Sequence, residues 1–304
     1  MGPEDTAARA DRATERAHPD PHGAAHRAPG GDDPDHTRDE QQVPPRRRRG
    51  TRLRDGSTLY WWRELLIVAT LYVVYESIRN LSEGKPSTAY RNALRIIDWQ
   101  QALSIYHEKA IQDWALNWTA LIVASNYFYG SAYIGVSIVI LVWLYRRFPD
   151  DYPLLRNTLA IGTMLGLVGF ATFPLMPPRL LDVMGGGQVF GYVDTLVKYP
   201  TFWSFESPAM QKISNQFAAM PSLHCGWAVW GMGALLPRVR TWWMRTLAVL
   251  YPITTTFVVI ATGNHYFLDA VGGAVIFAIG YGVARLVTRA GRKGRLVNPA
   301  IADR

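Results

Sequence analysis

The sequence predicts an all-α fold, a polytopic membrane helix bundle with six transmembrane helices plus an interfacial amphipathic helix. Three observations predict it. Large apolar residues are nearly absent from the first fifty positions of the 304-residue chain and crowded afterwards. Six apolar runs, at 63–82, 127–145, 157–176, 218–236, 244–262 and 266–284, each approach the ~20 residues that cross ~30 Å of hydrocarbon. Arginine clusters fall between these runs on one side of the implied path.

Residues 1–56 are expected to form a disordered cytoplasmic tail with a basic end. Rich in Asp, Pro, Ala, Arg, His and Gly, this segment has too little apolar surface to offset its chain entropy. Four histidines, His18, His22, His26 and His36, lie in it and read as part of a biased solvated segment. The net charge of +8 does not point to nucleic acid, because no basic face on a folded soluble domain is visible. Arg46 to Arg49, Arg52 and Arg54 instead directly precede an apolar run, as a topology signal does. The tail has no apolar stretch of the kind a cleavable signal needs, so the first span serves as the targeting signal. The single cysteine, Cys225, excludes an intramolecular disulfide and a cysteine-based zinc site.

The membrane body is expected over 57–290, followed by a short basic cytoplasmic tail over 291–304. Arg146, Arg147 and Arg156 separate the second and third runs, Arg238, Arg240 and Arg245 the fourth and fifth, and Arg285, Arg289, Arg292, Lys293 and Arg295 follow the last. The positive-inside rule makes their side cytoplasmic, with both termini, while Arg91 and Arg95 fall on the other side. Tyr60, Trp61, Trp62, Trp242 and Trp243 read as an aromatic anchor at the inner interface, and Glu76 with Arg79 as a structural pair. Residues 90–116 place Leu94, Ile97, Leu103, Tyr106, Ala110 and Leu116 at roughly helical spacing, the interfacial helix. Asp98, His107, Glu108, Lys109 and Asp113 read as its solvated face. Residues 177–217, with Gly185-Gly186-Gly187, read as an irregular lid, and the glycines lack the Lys-Ser/Thr of a phosphate-cradling loop.

Outside the tail and the interfacial His107, only His224 and His265 remain. Their separation matches the ~40 residues of one span out and one span back, which returns the chain to one face. Arg179 joins that face because no span separates it from His224. Asp269, four residues after His265, is its helical neighbour and is placed to fix the imidazole tautomer. Met220-Pro221-Ser222-Leu223-His224 suits a helix start, whose unpaired N–H groups and dipole favour phosphate. Arg179 brings a guanidinium fork suited to phosphate oxygens. Asn264, Tyr266, Asn126, Tyr127 and Tyr129 could touch a substrate. A helix-end polar pair, a snorkelling arginine and an aromatic belt are the plainer readings of Asp269, Arg179 and the tyrosines.

Pro221-Ser222-Leu223-His224 and His265-Tyr266-Phe267-Leu268-Asp269 resemble the second and third motifs of the type 2 phosphatidic acid phosphatase superfamily. Phe173-Pro174-Leu175-Met176-Pro177-Pro178-Arg179 and Thr262-Gly263-Asn264-His265-Tyr266 look most like its inositol phosphorylceramide synthase (inositolphosphotransferase) branch. The chain departs from the lipid phosphatases. Leu223 stands at a glycine position, Val258-Val259 where Ser-Arg is usual, and the lysine of the first motif has no match. Fewer cationic clamps suit the synthase-like branch, where the phosphate is a diester.

The resemblance implies a metal-independent phosphotransferase or phosphohydrolase acting on lipid phosphate esters in sphingolipid or phospholipid metabolism. It makes His265 the nucleophile that forms a phosphohistidine, Asp269 its orienting partner and His224 the acid for the leaving alkoxide. Arg179 then clamps phosphate, with Ser222 assisting. No cofactor or metal is expected. The expected partners are a membrane lipid substrate and an acceptor, water or a hydroxyl, with no nucleic acid and no obligate protein partner. The expected location is the plasma membrane, with the site extracytoplasmic. A catalytically inactive scaffold or a transporter with a vestigial His-Asp pair is the rival reading.

Overall fold

The computed structural model describes residues 50–54, 56–81, 85–184, 188–201 and 216–297. The expected tail up to residue 49, the Gly185–Gly187 run, the end of the C-terminal tail and the Glu76 and Arg79 side chains lie outside the described residues.

The chain is mostly helical. A short antiparallel hairpin, β1 (Thr51–Arg52) and β2 (Thr58–Leu59), precedes helix α1 (Trp61–Leu81). Leu59 of β2 is buried in one cluster with Leu144 and Tyr152. Two helices follow, α2 (Pro86–Ala102) and α3 (Glu108–Leu116), then the long α4 (Thr119–Arg147) and α5 (Tyr152–Thr172). A 3-10 turn at Pro178–Leu180 leads into the short α6 (Leu181–Met184), and α7 (Thr195–Lys198) is equally short. The chain closes with α8 (Leu223–Leu235), α9 (Trp242–Ala261) and α10 (Phe267–Val297).

Four of these helices are long and apolar enough to cross a membrane: Thr119–Arg147, Tyr152–Thr172, Trp242–Ala261 and Phe267–Ala290. The other two expected spans differ for physical reasons. Helix α1 carries Arg63, Glu64, Glu76 and Arg79. Helix α8 has 13 residues, about 20 Å at ~1.5 Å each, because the chain before it is turn and bend and Ser222 caps it only at Leu223.

The predicted amphipathic helix is two helices. Leu103–His107 breaks it, with Ser104 in the left-handed region at φ 56°. Trp99, Leu103, Trp114 and Trp118 are exposed on the outer side. The inner side is not purely apolar, since Gln100, Glu108 and Gln112 are completely buried with Ala93, Ile96 and Ala115. Asp98 and Asp113 are exposed as expected, and Lys109 pairs with Asp113. Glu108 corrects the expectation of a solvated charge.

Helix α10 is the spine, packed along α5 and α8. The approach is close because the crossings are glycines. A Cβ on Gly273 would lie 2.2 Å from the Ser222 carbonyl oxygen, and one on Gly280 2.9 Å from the Gly162 nitrogen. Small residues at such crossings let backbones meet where no aqueous hydrophobic force drives association. The Gly273 contact matters for function, because it brings the starts of α8 and α10 together. At the other end of the bundle, Arg156 bonds Glu64 at 2.6 Å, Arg238 bonds Asp151 at 2.6 Å and Arg54 lies 3.3 Å from Asp150. These pairs fasten α1, α5 and the turn after α8 at the basic end.

Candidate active site

The end opposite those ion pairs gathers the starts of α4, α8 and α10 and the segments that follow α5 and α9. His265 lies just before α10 and Asp269 in its first turn, and both are buried. His265 Nδ1 lies 2.8 Å from the Ala219 carbonyl oxygen and 3.3 Å from Asp269 Oδ2. A carbonyl can only accept, so Nδ1 carries the hydrogen and Nε2 presents a lone pair. Asp269 Oδ2 also accepts from the Tyr266 amide at 2.8 Å, and the Asp269 carbonyl accepts from the Ser222 amide at 2.9 Å. The second link ties α10 to the cap of α8.

His224, in the first turn of α8, has its ring centroid 5.6 Å from that of His265. Tyr129 stacks on it at 4.4 Å and Tyr133 packs at 4.3 Å. The ring also hydrogen-bonds to the Tyr129 backbone, so one of its nitrogens is committed there. Ser222 is completely buried, and its hydroxyl oxygen accepts from the Cys225 amide at 3.3 Å as a helix cap. Leu223, at the departing position, fills the gap left by Gly166.

Arg179 reaches the site from the 3-10 turn. Its amide donates to the Gly263 carbonyl at 2.8 Å, its Nε to Asn264 Oδ1 at 2.9 Å and its Nη1 to Asp194 Oδ2 at 2.6 Å. Gly263 has φ +70°, and a Cβ there would sit 2.8 Å from Gln112, so the turn before His265 is suited to glycine. The two stretches that carried the branch resemblance meet here, since the Tyr266 hydroxyl also donates to the Met176 carbonyl at 3.1 Å.

His265, Asp269, His224, Ser222 and Arg179 therefore come together at one end. The expected substrate contacts are placed differently. Asn126 is buried and its amide holds Thr195 and Tyr199. Asn264 orients Arg179 and donates to Thr262, while Tyr266 is buried in the core beneath. All three have polar side-chain atoms bonded within the protein. Tyr127 is half-buried on α4 beside Asn126.

Several residues escaped the sequence reading. Gln112 bonds the Val193 backbone in both directions, at 3.0 Å and 2.9 Å. Tyr192 and Tyr106 share a hydroxyl hydrogen bond of 3.1 Å, and burial pushes both phenols above the ordinary tyrosine range, so this link stays protonated at neutral pH. Glu108 Oε1 accepts from the Phe267 amide at 2.9 Å and from Gln100 Nε2 at 2.5 Å. Gln100 Oε1 accepts from the Leu268 amide at 2.9 Å. The first amides of α10 are thus taken by side chains. Tyr129 and Tyr133, spaced i and i+4, were the one sequence signal for an aromatic wall against His224. Among the described residues, no group of three or more His, Cys, Asp or Glu is placed to hold a metal ion.

A protein-family model described as the PAP2 superfamily matches residues 94–283, and the chain belongs to that superfamily. The match covers more than half of the chain and contains every site residue named above. No curated protein and no solved structure matches. Membership and the apolar helices fit a membrane phosphatase or phosphotransferase, and a lipid phosphate substrate accords with the family.

Proposed function

We propose that the protein transfers or hydrolyses a lipid phosphate ester through a phosphohistidine on His265. The observation that carries this reading is the double acceptor at His265 Nδ1, which leaves Nε2 as a nucleophile. Nε2 attacks phosphorus, the P–O bond to the leaving group breaks, and His224 gives its proton to the departing alkoxide. For this step His224 must be the imidazolium, with one N–H held by the Tyr129 backbone and the other given to the leaving oxygen. The acceptor hydroxyl then loses its proton to His224 and attacks the phosphohistidine, restoring His265. Water as acceptor makes the reaction hydrolysis, and a lipid or polyol hydroxyl makes it transfer. Arg179 and the start of α8 hold the phosphate oxygens.

The contact between the Pro174–Arg179 stretch and the Thr262–Tyr266 stretch supports the inositolphosphotransferase-type branch and hence a phosphodiester donor. The arginine distribution supports six crossings, cytoplasmic termini and an extracytoplasmic site in the plasma membrane. On this reading α1 and α8 complete the six, α8 together with the non-helical chain before it.

A covalent phosphoenzyme should be trapped with a labelled phospholipid donor, lost in His265→Ala and retained in His224→Ala. Unchanged activity in both variants would overturn the assignment. Mass spectrometry of products from a panel of donors and acceptors then identifies the reaction. Orientation has a separate test. Val189 is 84% exposed near the site, and the native Cys225 is buried. Val189→Cys should react with an impermeant thiol reagent on intact cells, and labelling only after lysis would invert the orientation.

A further inference from the structure

We propose that Asp194 positions the phosphate clamp and sets its charge preference, so that the site favours phosphate groups bearing one negative charge over dianionic ones. The proposal rests on the reading of Arg179 as that clamp. Asp194 divides its carboxylate between two tasks. Oδ1 caps α7 by accepting from the Leu196 amide at 3.0 Å, and Oδ2 takes Arg179 Nη1 at 2.6 Å. The pair is largely buried, with side-chain exposures of 13% and 12%, so water screens it only in part.

The carboxylate has little freedom to move aside. Val193, before it, is held in both directions by Gln112. Thr195, after it, bonds Asn126 at 3.0 Å and the Thr262 carbonyl at 3.2 Å. The segment is thus fastened to α3, to α4 and to the turn that precedes His265, and Asp194 is its fixed point against Arg179. With Nε on Asn264 and one Nη1 hydrogen on Asp194, the guanidinium is oriented and its remaining N–H groups define the fork for an incoming phosphate.

Orientation is gained while net charge is lost. Arg179 faces Asp194 directly, and Asp269 adds a second carboxylate at the same end. The nearby lysines are committed elsewhere, Lys109 to Asp113 and Lys198 over the Tyr199 ring. A second negative charge on the phosphate therefore meets the Asp194 carboxylate across the clamp.

The test uses full-length protein in detergent and two non-hydrolysable probes, hexylphosphonate as the dianion and its monomethyl ester as the monoanion. Binding is measured by calorimetry above the second ionisation of the phosphonate. Wild type should prefer the monoester. Asp194→Asn should shift the affinity ratio toward the dianion by about tenfold, the size of one unit charge a few ångströms away in a partly screened site. Asp194→Ser keeps a helix cap and should shift it the same way, whereas Asp194→Glu keeps the charge and should retain the wild-type ratio. A ratio unmoved in the Asn and Ser variants, while wild type binds both probes, overturns this proposal alone. Failure of wild type to bind either probe overturns the phosphate-site reading and the proposal with it.

Discussion

Asp269→Asn is expected to lower the rate of phosphoenzyme formation by about 10²–10³-fold, the loss typical of one preorganised electrostatic group. A larger loss of ~10⁴ accompanies removal of a carboxylate that alone fixes a histidine tautomer. Here the tautomer has a second guardian. The Ala219 carbonyl lies 2.8 Å from His265 Nδ1, closer than Asp269 at 3.3 Å. An asparagine would leave that bond intact and keep Nε2 as the attacking atom. What it removes is the negative charge opposite the cation that develops on the ring as the P–N bond forms. It also weakens the bond that Asp269 Oδ2 accepts from the Tyr266 amide. Single-turnover phosphoenzyme formation from a labelled donor separates the two cases. A loss near 10⁴ would mean that the carbonyl does not hold the tautomer in the working enzyme.

The residues legible in the sequence were those whose chemistry is costly in a bilayer. His224, His265, Arg179 and Asp269 stood out because ionisable groups beside apolar runs call for a partner. The span arithmetic that put them on one face is a property of chain length alone, and the structure brings all four to one end. What was not legible depends on contacts between distant segments. Gln100 and Glu108 meet amides more than 150 residues away, at Phe267 and Leu268, and their own helices look merely amphipathic. Asp194 sits in a segment without periodicity, so nothing local distinguished it from a solvated loop acid. Asn126, Asn264 and Tyr266 were read as substrate contacts because they flank the site. Tertiary packing instead turns their polar atoms toward neighbouring backbone and Arg179. The break at Leu103–His107 was hidden because the helical spacing runs nearly in phase across it.

Glu108→Ala is expected to destabilise the folded protein by about 2–6 kcal/mol, since two buried donors lose their acceptor at ~1–3 kcal/mol each. Those donors are the Phe267 amide and Gln100 Nε2. Glu108→Gln should be far milder, because its amide oxygen can accept both bonds through the atom that replaces Oε1. Oε2 has no hydrogen-bond partner among the described residues, so the amide nitrogen displaces no existing bond. The comparison isolates acceptor geometry from charge. An anion at a helix N-terminus contributes up to ~2 kcal/mol in a partly buried setting, which bounds the cost of the glutamine. Thermal unfolding in detergent, followed by tryptophan fluorescence, gives the ordering. Equal destabilisation by the two substitutions would make charge, not acceptance, the function of Glu108. Activity should follow a steeper course than stability. Phe267 and Leu268 lie between His265 and Asp269, so releasing their amides loosens the pair that must stay aligned. A displacement of ~1 Å can cost ~10²-fold in rate even in molecules that remain folded. Helices α2 and α3 thus hold the start of α10, and with it His265, in place. Exposed Trp99, Trp114 and Trp118 on one side and buried Glu108 on the other show that these helices are fixed to α10 by polar bonds as well as by packing.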